Sequence, residues 1–188
     1  MLPEQIKKYR DMVTLKDGVS VLLRPMTSDD LQGLIGLFSP VSDEDFRFLR
    51  DNVRDPAVIE AWCKTLDYSR VLPLLAIVKD QVVGQATLHF RRGPKRHIGE
   101  VRIFLAKGFR QRGLGTRMLN KLIDLARRSG LHLLVAEVVA DQSKVIKAFQ
   151  KLGFERITTY EDYFMLTDGD TRDVAVLFLK LRPKTDEF

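Results

Sequence analysis

The chain has 188 residues, 45% of them apolar and 30% charged, with a formal net charge of +6. These proportions exclude a low-complexity or disordered chain and describe a globule that buries roughly 70% of its unfolded surface without covalent staples. One cysteine, Cys63, excludes an internal disulfide, and apolar runs such as Leu72 to Val78 fall far short of the roughly 20 residues of a membrane span. The start, "MLPEQIKKYRD", mixes charges early and carries no apolar leader, so a cytoplasmic home is expected and a membrane is not. The positive balance suits anionic ligands. It does not by itself mark a nucleic-acid binder, which would also interleave basic and aromatic residues on one face.

In chain order, "TLKDGVSVLLRPM" reads as a hairpin turned at Asp17-Gly18, with Val19, Val21 and Leu23 alternating and Pro25 ending the strand. Ser28-Asp29-Asp30 caps a helix carrying Leu31, Leu34, Ile35 and Phe38. Ser42 to Asp45 opens a second helix with Phe46, Leu49 and Val53, and Asp55-Pro56 a third with Ile59, Trp62 and Leu66. Two strand-like runs then flank Lys79-Asp80-Gln81, and "HIGEVRIFLA" is a further strand. A helix follows to Ser129, with Leu114, Met118, Leu119, Leu122 and Ile123 at helical spacing and Gly130 as its stop. "LHLLVAEVV" is a buried strand. A shorter helix starts at Asp141 or Gln142 and stops at Gly153, and two closing strands flank a turn at Asp168-Gly169-Asp170. The order β, helices, βββ, α, β, α, ββ predicts a mixed sheet with helices on both faces, of the α/β or α+β class.

The stretch "GFRQRGLGTRML", Gly108 to Leu119, places glycines and three arginines where the long helix begins. A helix start has unpaired N–H groups and a partial positive charge, and glycine lets an anion come close to the backbone. A phosphate ligand is therefore expected. The P-loop pattern fails because Leu114-Gly115 stand where Lys-Ser/Thr is required. The dinucleotide pattern fails because Met118 takes the third glycine's place. R/Q-x-x-G-x-G is met by Arg110, Gly113 and Gly115.

That third pattern resembles the coenzyme A site of the GNAT acetyltransferase superfamily. "DQSKVIKAFQKLGFE" is similar to the family's second signature, and the order of elements from about Val19 to Leu181 matches its fold. The resemblance implies one GNAT-like acyltransferase domain over residues 1–188, core about 14–182, built on a mostly antiparallel sheet. It implies acetyl-CoA as co-substrate and no metal. The amides of Gln111, Arg112, Gly113, Leu114, Gly115 and Thr116 would cradle the pyrophosphate, with charge from Arg110 and Arg112. The family splays its fourth and fifth strands, and the backbone of Ile103, Phe104 and Leu105 would pair with the pantetheine arm in that gap. A homodimer through the closing strands is left open.

In such a reaction an amine attacks a thioester, and a lysine-like amine is only about 1 in 2,000 neutral at pH 7. Glu100 is the candidate general base, at the position where glutamate-base protein-lysine acetyltransferases of the family place theirs. Strand parity sets Glu100, Arg102 and Phe104 on one face, and an apolar setting would raise the Glu100 pKa. Pairing with Arg102 is the plain alternative. The family's usual tyrosine acid is replaced by Phe149, and its asparagine by Gln142, so both border the coenzyme site without a general acid. Tyr160 and Tyr163 are candidate substitutes. Glu137 is expected either at the acceptor cleft or in an ion pair. "SDEDFRFLRD" is an acceptor lid or a plain charged helix, and "RRGPKR" is a basic turn that touches the adenosine 3′-phosphate, an acidic partner or only solvent. His89, His97 and His132 lack metal spacing, and Cys63 reads as core. The expected function is acetyl transfer to a protein lysine or small amine. A non-catalytic acyl-CoA-binding regulatory module is the alternative.

Overall fold

A computed structural model describes residues 6–166 and 169–181. Asp168, assigned above to a turn, and residue 182, assigned to the core, lie outside them. Eight strands form one sheet in the order β1-β2-β3-β4-β5-β6-β8-β7. They are β1 (Asp11–Thr14), β2 (Ser20–Pro25), β3 (Val71–Val78), β4 (Gln81–Phe90), β5 (Ile98–Leu105), β6 (Leu133–Val139), β7 (Glu155–Met165) and β8 (Thr171–Lys180). The helices are α1 (Leu31–Phe38), α2 (Asp43–Phe46), α3 (Pro56–Lys64), α4 (Leu114–Arg128) and α5 (Ser143–Lys151). Every neighbouring pair of strands is antiparallel except β5 with β6. The sheet is thus mixed and mostly antiparallel, as the sequence predicts.

Alternation along the strands separates two cores. Leu74 and Ala76 of β3 join Leu114, Met118 and Leu122 of α4 and Ile146 and Phe149 of α5 on one face. Leu75 packs with Leu34 and Phe38 of α1 and Ile59 of α3 on the other. Leu114, Met118 and Leu122 are fully buried, each contributing about 1.5–3 kcal/mol. Helix α4 is therefore held rigidly against the strands that precede it.

Two local expectations are corrected. The helix expected to carry Phe46, Leu49 and Val53 is a single turn, Asp43–Phe46. Ser42 caps it by accepting from the Asp45 N–H. Then Arg54 reaches back to the Val41 carbonyl and to Asp43, while Arg50 crosses to the sheet, so the segment folds on itself. In the β3–β4 turn the central residues are Lys79 and Asp80, both with positive φ (47° and 64°), and Gln81 already belongs to β4. Two positive φ values fit the twist of a two-residue hairpin.

The parallel pairing of β5 with β6 covers only Ile98↔Leu133, Gly99↔Leu134 and Glu100↔Val135. Beyond Glu100, β5 pairs with β4 alone up to Leu105, and β6 pairs with β8 alone up to Val139. The strands splay at Glu100, which leaves one edge of residues 101–105 free over about 17 Å.

Candidate active site

Immediately after that free edge the chain enters the glycine stretch. Gly113 precedes α4 with φ 87°, and Gln111 is also left-handed at 59°. The first backbone hydrogen bond here runs from the Arg117 N–H to the Gly113 carbonyl (3.1 Å). Among the described residues no acceptor takes the N–H groups of 111 to 116. A Cβ built on Gly113 meets no atom within 4 Å, so this turn faces open space. Such a row of amides at a helix start binds phosphate oxygens. Buried Leu114 anchors the helix start, Gly115 packs toward Leu105 and Ile103, and Thr116 is exposed.

Two of the three arginines do not face the open side, which corrects the expectation for their side chains. Arg110 donates to both carboxylate oxygens of Asp45 (2.9 and 2.8 Å) and to the Leu105 carbonyl (3.0 Å). Arg112 pairs with Asp17 and with the Gly108 carbonyl. Both side chains brace the loop, Arg110 to α2 and Arg112 to the β1–β2 turn. Arg117 remains exposed on the first turn of α4. The basic turn "RRGPKR" sits at the opposite end of β5 from the glycine stretch, about 25 Å of strand away.

A cavity of about 440 Å³ opens at the splay. Its walls include Val101 to Phe104 of β5, Glu137 to Val139 of β6, and Gln142, Val145 and Phe149 at α5. Phe48 to Asp51, Trp62, Gln85, Thr87, His89 and Phe164 close the other sides. Ile103, Phe104, Gln142 and Phe149 therefore meet at one cavity, while Leu105 and residues 110–116 lie outside it. The Phe149 ring stands edge-on to Phe154 at 5.1 Å. Tyr160 and Tyr163 are about half exposed on β7 and do not line the cavity, so neither supplies its hydroxyl there.

At the fork, charge is concentrated. Glu100 is 8% exposed. Its Oε1 lies 2.8 Å from Arg102 Nε and 2.9 Å from Arg50 Nη1, and its Oε2 lies 3.6 Å from Arg91 Nη2. Glu137, on the opposite lip, is 3.0 Å from Arg50 Nη2 and 3.9 Å from Arg91. Glu137 thus lines the cavity and forms an ion pair. Glu100 itself sits behind Arg50 and Arg102, which form the wall. The expected rise of its pKa is overturned. Burial pushes the carboxyl up most strongly, but the Arg102 hydrogen bond and the charges of Arg50 and Arg102 together hold it below its ordinary value.

Sequence reasoning missed Arg50, Arg91 and His89 as members of this cluster. Arg50 belongs to the segment read as lid or charged helix, and it enters the cavity with its guanidinium 4.9 Å over the Phe164 ring. His89 lies directly across β4–β5 from Glu100, with Nε2 2.9 Å from Thr87 Oγ1. Burial, then the Arg102 charge, pushes its pKa down to about 4, so it is neutral at pH 7. The His97 and His132 rings lie 5.8 Å apart, tilted at 57°, away from the cavity. Among the described residues no group of three or more His, Cys, Asp or Glu could hold a metal. Cys63 is buried and its thiol is pushed up, as befits a core residue.

Residues 38–154 match the Acetyltransferase (GNAT) family profile. The chain belongs to that family. As a GNAT N-acetyltransferase it uses acetyl-CoA as co-substrate. It is 26% identical over 140 residues to the L-methionine sulfoximine/L-methionine sulfone acetyltransferase of Pseudomonas aeruginosa, covering 73% of this chain and 81% of that protein. It is 36% identical over 62 residues to the uncharacterized N-acetyltransferase MJ1207 of Methanocaldococcus jannaschii, which is 32% of this chain and only 27% of that protein. Among solved structures it superposes on yncA from Salmonella typhimurium, solved with its cofactor acetyl-CoA. There the TM-score is 0.74 at 21% identity, over 88% of this chain and 96% of that one. No helix among the described residues is long and apolar enough to cross a membrane.

Proposed function

We propose that the protein, as one acyltransferase domain over residues 1–188, moves the acetyl group of acetyl-CoA to a primary amine with Glu100 as general base. The acceptor is a protein lysine or a small amine that enters the cavity at the splay. The observation that carries this proposal is the place of Arg50, whose guanidinium lies between Glu100 and Glu137 on the two lips of the gap. Arg50 thus occupies a position bridging two carboxylates, and an acceptor ammonium has the same charge as the guanidinium it would replace.

On this basis the amides of Gln111 to Thr116 take the pyrophosphate, and the free edge at Ile103 to Leu105 pairs with the pantetheine arm. Gln142 and Phe149 border the thioester end. The ammonium replaces Arg50, loses one proton to water, and its neutral form, about 1 in 2,000 of a lysine-like amine at pH 7, attacks the carbonyl carbon. As the C–N bond forms, nitrogen becomes acidic and passes a proton to Glu100. A carboxylate held below its ordinary pKa suffices for this step, whereas it is too weak to strip a free ammonium. The C–S bond then breaks, and coenzyme A leaves as a thiolate of pKa about 8.5, which needs no tyrosine acid.

Thiol release from acetyl-CoA with pooled peptide and small-amine acceptors tests this. Glu100→Gln is expected to lower acceptor-dependent release at least about a hundredfold. If wild type binds acetyl-CoA and releases no thiol with any acceptor, the non-catalytic acyl-CoA-binding module replaces this proposal.

A further inference from the structure

Arg50 has to leave before an amine can lie between Glu100 and Glu137. Its next partner then governs which amines the site accepts. The inner cluster sets three guanidiniums, of Arg50, Arg91 and Arg102, against the two carboxylates of Glu100 and Glu137. It carries one excess positive charge. A bare ammonium raises that to two in a half-buried cavity, where screening is weak. An ammonium that brings its own carboxylate leaves the excess at one. Asp51, Asp67 and Arg70 border the cavity from exposed positions, so water screens them and they contribute little.

The guanidiniums are also available to a new anion. Arg91 touches its carboxylates only at 3.6 and 3.9 Å, beyond hydrogen-bond length. Arg50 extends from the irregular segment between α2 and α3, so rotation about its own side-chain bonds frees it without moving a strand. Once displaced by the amine it has lost both carboxylate partners, and its side chain, 27% exposed, is only partly solvated there. A carboxylate beside the amine replaces them with a fork-shaped pair. Phe38, Trp62, Phe104 and Phe164 give the wall apolar surface beside the polar Gln85, Thr87 and His89.

Resting on the acetyl transfer proposed above, we infer that Arg50 is a specificity-determining residue. It fills the cation site until the acceptor arrives, then pairs with a carboxylate next to the acceptor's amine, with Arg91 adding positive charge from behind the cavity wall. The acceptor class is a free amino acid with an apolar side chain, not a lysine side chain within a peptide.

Thiol release with L-phenylalanine, phenethylamine and Nα-acetyl-lysine amide tests this, because the first two differ only by the carboxylate. L-phenylalanine is expected to exceed the other two at least about thirtyfold in kcat/KM, the scale of a lost charged hydrogen-bond pair. Arg50→Gln is expected to collapse that preference to about threefold or less, mainly through KM for phenylalanine, and Arg50→Lys to restore part of it. Should Arg50→Gln not fold, Arg91→Gln is expected to reduce the same ratio. Equal use of phenethylamine or the lysine amide overturns the inference and leaves the acetyltransferase standing. A full preference retained in folded Arg50→Gln removes Arg50 from the role. No thiol release from any acceptor overturns the acetyl transfer and this inference with it.

Discussion

Gly113 and Gly115 both belong to the glycine signature, yet the structure gives them different work. Gly113 has φ 87°, and a Cβ there would meet nothing within 4 Å. The whole cost of Gly113→Ala is therefore conformational, about 1–2 kcal/mol for a left-handed non-glycine residue. If the strain is retained, the fold loses that amount, about 2–8 °C in Tm for a chain of this size. If the turn relaxes, the row of amides loses its geometry and the acetyl-CoA Kd rises about five- to thirtyfold. Asparagine tolerates this region better, so Gly113→Asn is expected to recover part of either loss. Gly115 has an ordinary helical backbone, and its Cβ would lie 3.4 Å from Leu105 Cδ1 and 3.6 Å from Ile103 Cδ1. It points at packed side chains and away from the open turn. Gly115→Ala is expected to hold or raise Tm slightly, since alanine favours the helix by about 0.5–1 kcal/mol, with less than about a threefold change in Kd. Chemical denaturation and calorimetric titration of acetyl-CoA measure both quantities. Gly113→Ala with wild-type stability and affinity, or Gly115→Ala as damaging as Gly113→Ala, would refute the reasoning.

Two further outcomes concern titration. Asp30 is buried in a bidentate pair with Arg24 and accepts the Thr27 N–H, and although burial is the largest influence and pushes its carboxyl up, these partners together hold it below its ordinary value. Its contribution is therefore present above the unfolded-state value near 3.9 and lost as pH falls through the lower folded value. Asp30→Asn is expected to cost about 3 kcal/mol in denaturation at pH 7, with the gap to wild type closing toward pH 2; a pH-independent gap would contradict the ion-pair account. His89 is expected to titrate near 4 by NMR, and because its folded value is depressed, protonation favours the unfolded chain as pH falls from about 6.5 toward 4. A midpoint above 6 would show that Arg102 and burial do not act on it as described.

The fold was largely legible because its signals are local. Gly18, Gly130 and Gly153 each punctuate an element and each has positive φ, and Pro25 is the last residue of β2. The buried stripe of α4 follows the helical spacing of Leu114, Met118 and Leu122. The helix expected through Val53 failed for the opposite reason. Its spacing was helical, but Arg50 and Arg54 are pulled to partners that no local pattern reveals.

The site was half legible along the same division. Its backbone half, the free edge of β5 and the turn at Gly113, lies within one continuous stretch from Glu100 to Thr116, so adjacent residues announce it. Its side-chain half is assembled across the sheet. Arg50 meets Glu137 at a separation of 87 positions, and Arg110 meets Asp45 at 65. Parity could place Glu100 on the face of Arg102, but it could not count how many guanidiniums would converge there. That count sets the sign of the pKa shift. Burial alone pushes Glu100 up, and two arginines within 3 Å, contributed by β5 and by a distant loop, reverse it. Where several cations converge on a strand carboxylate, sequence position identifies the residue, and only the assembled fold tells whether it begins as a base or as half of an ion pair that the substrate has to open.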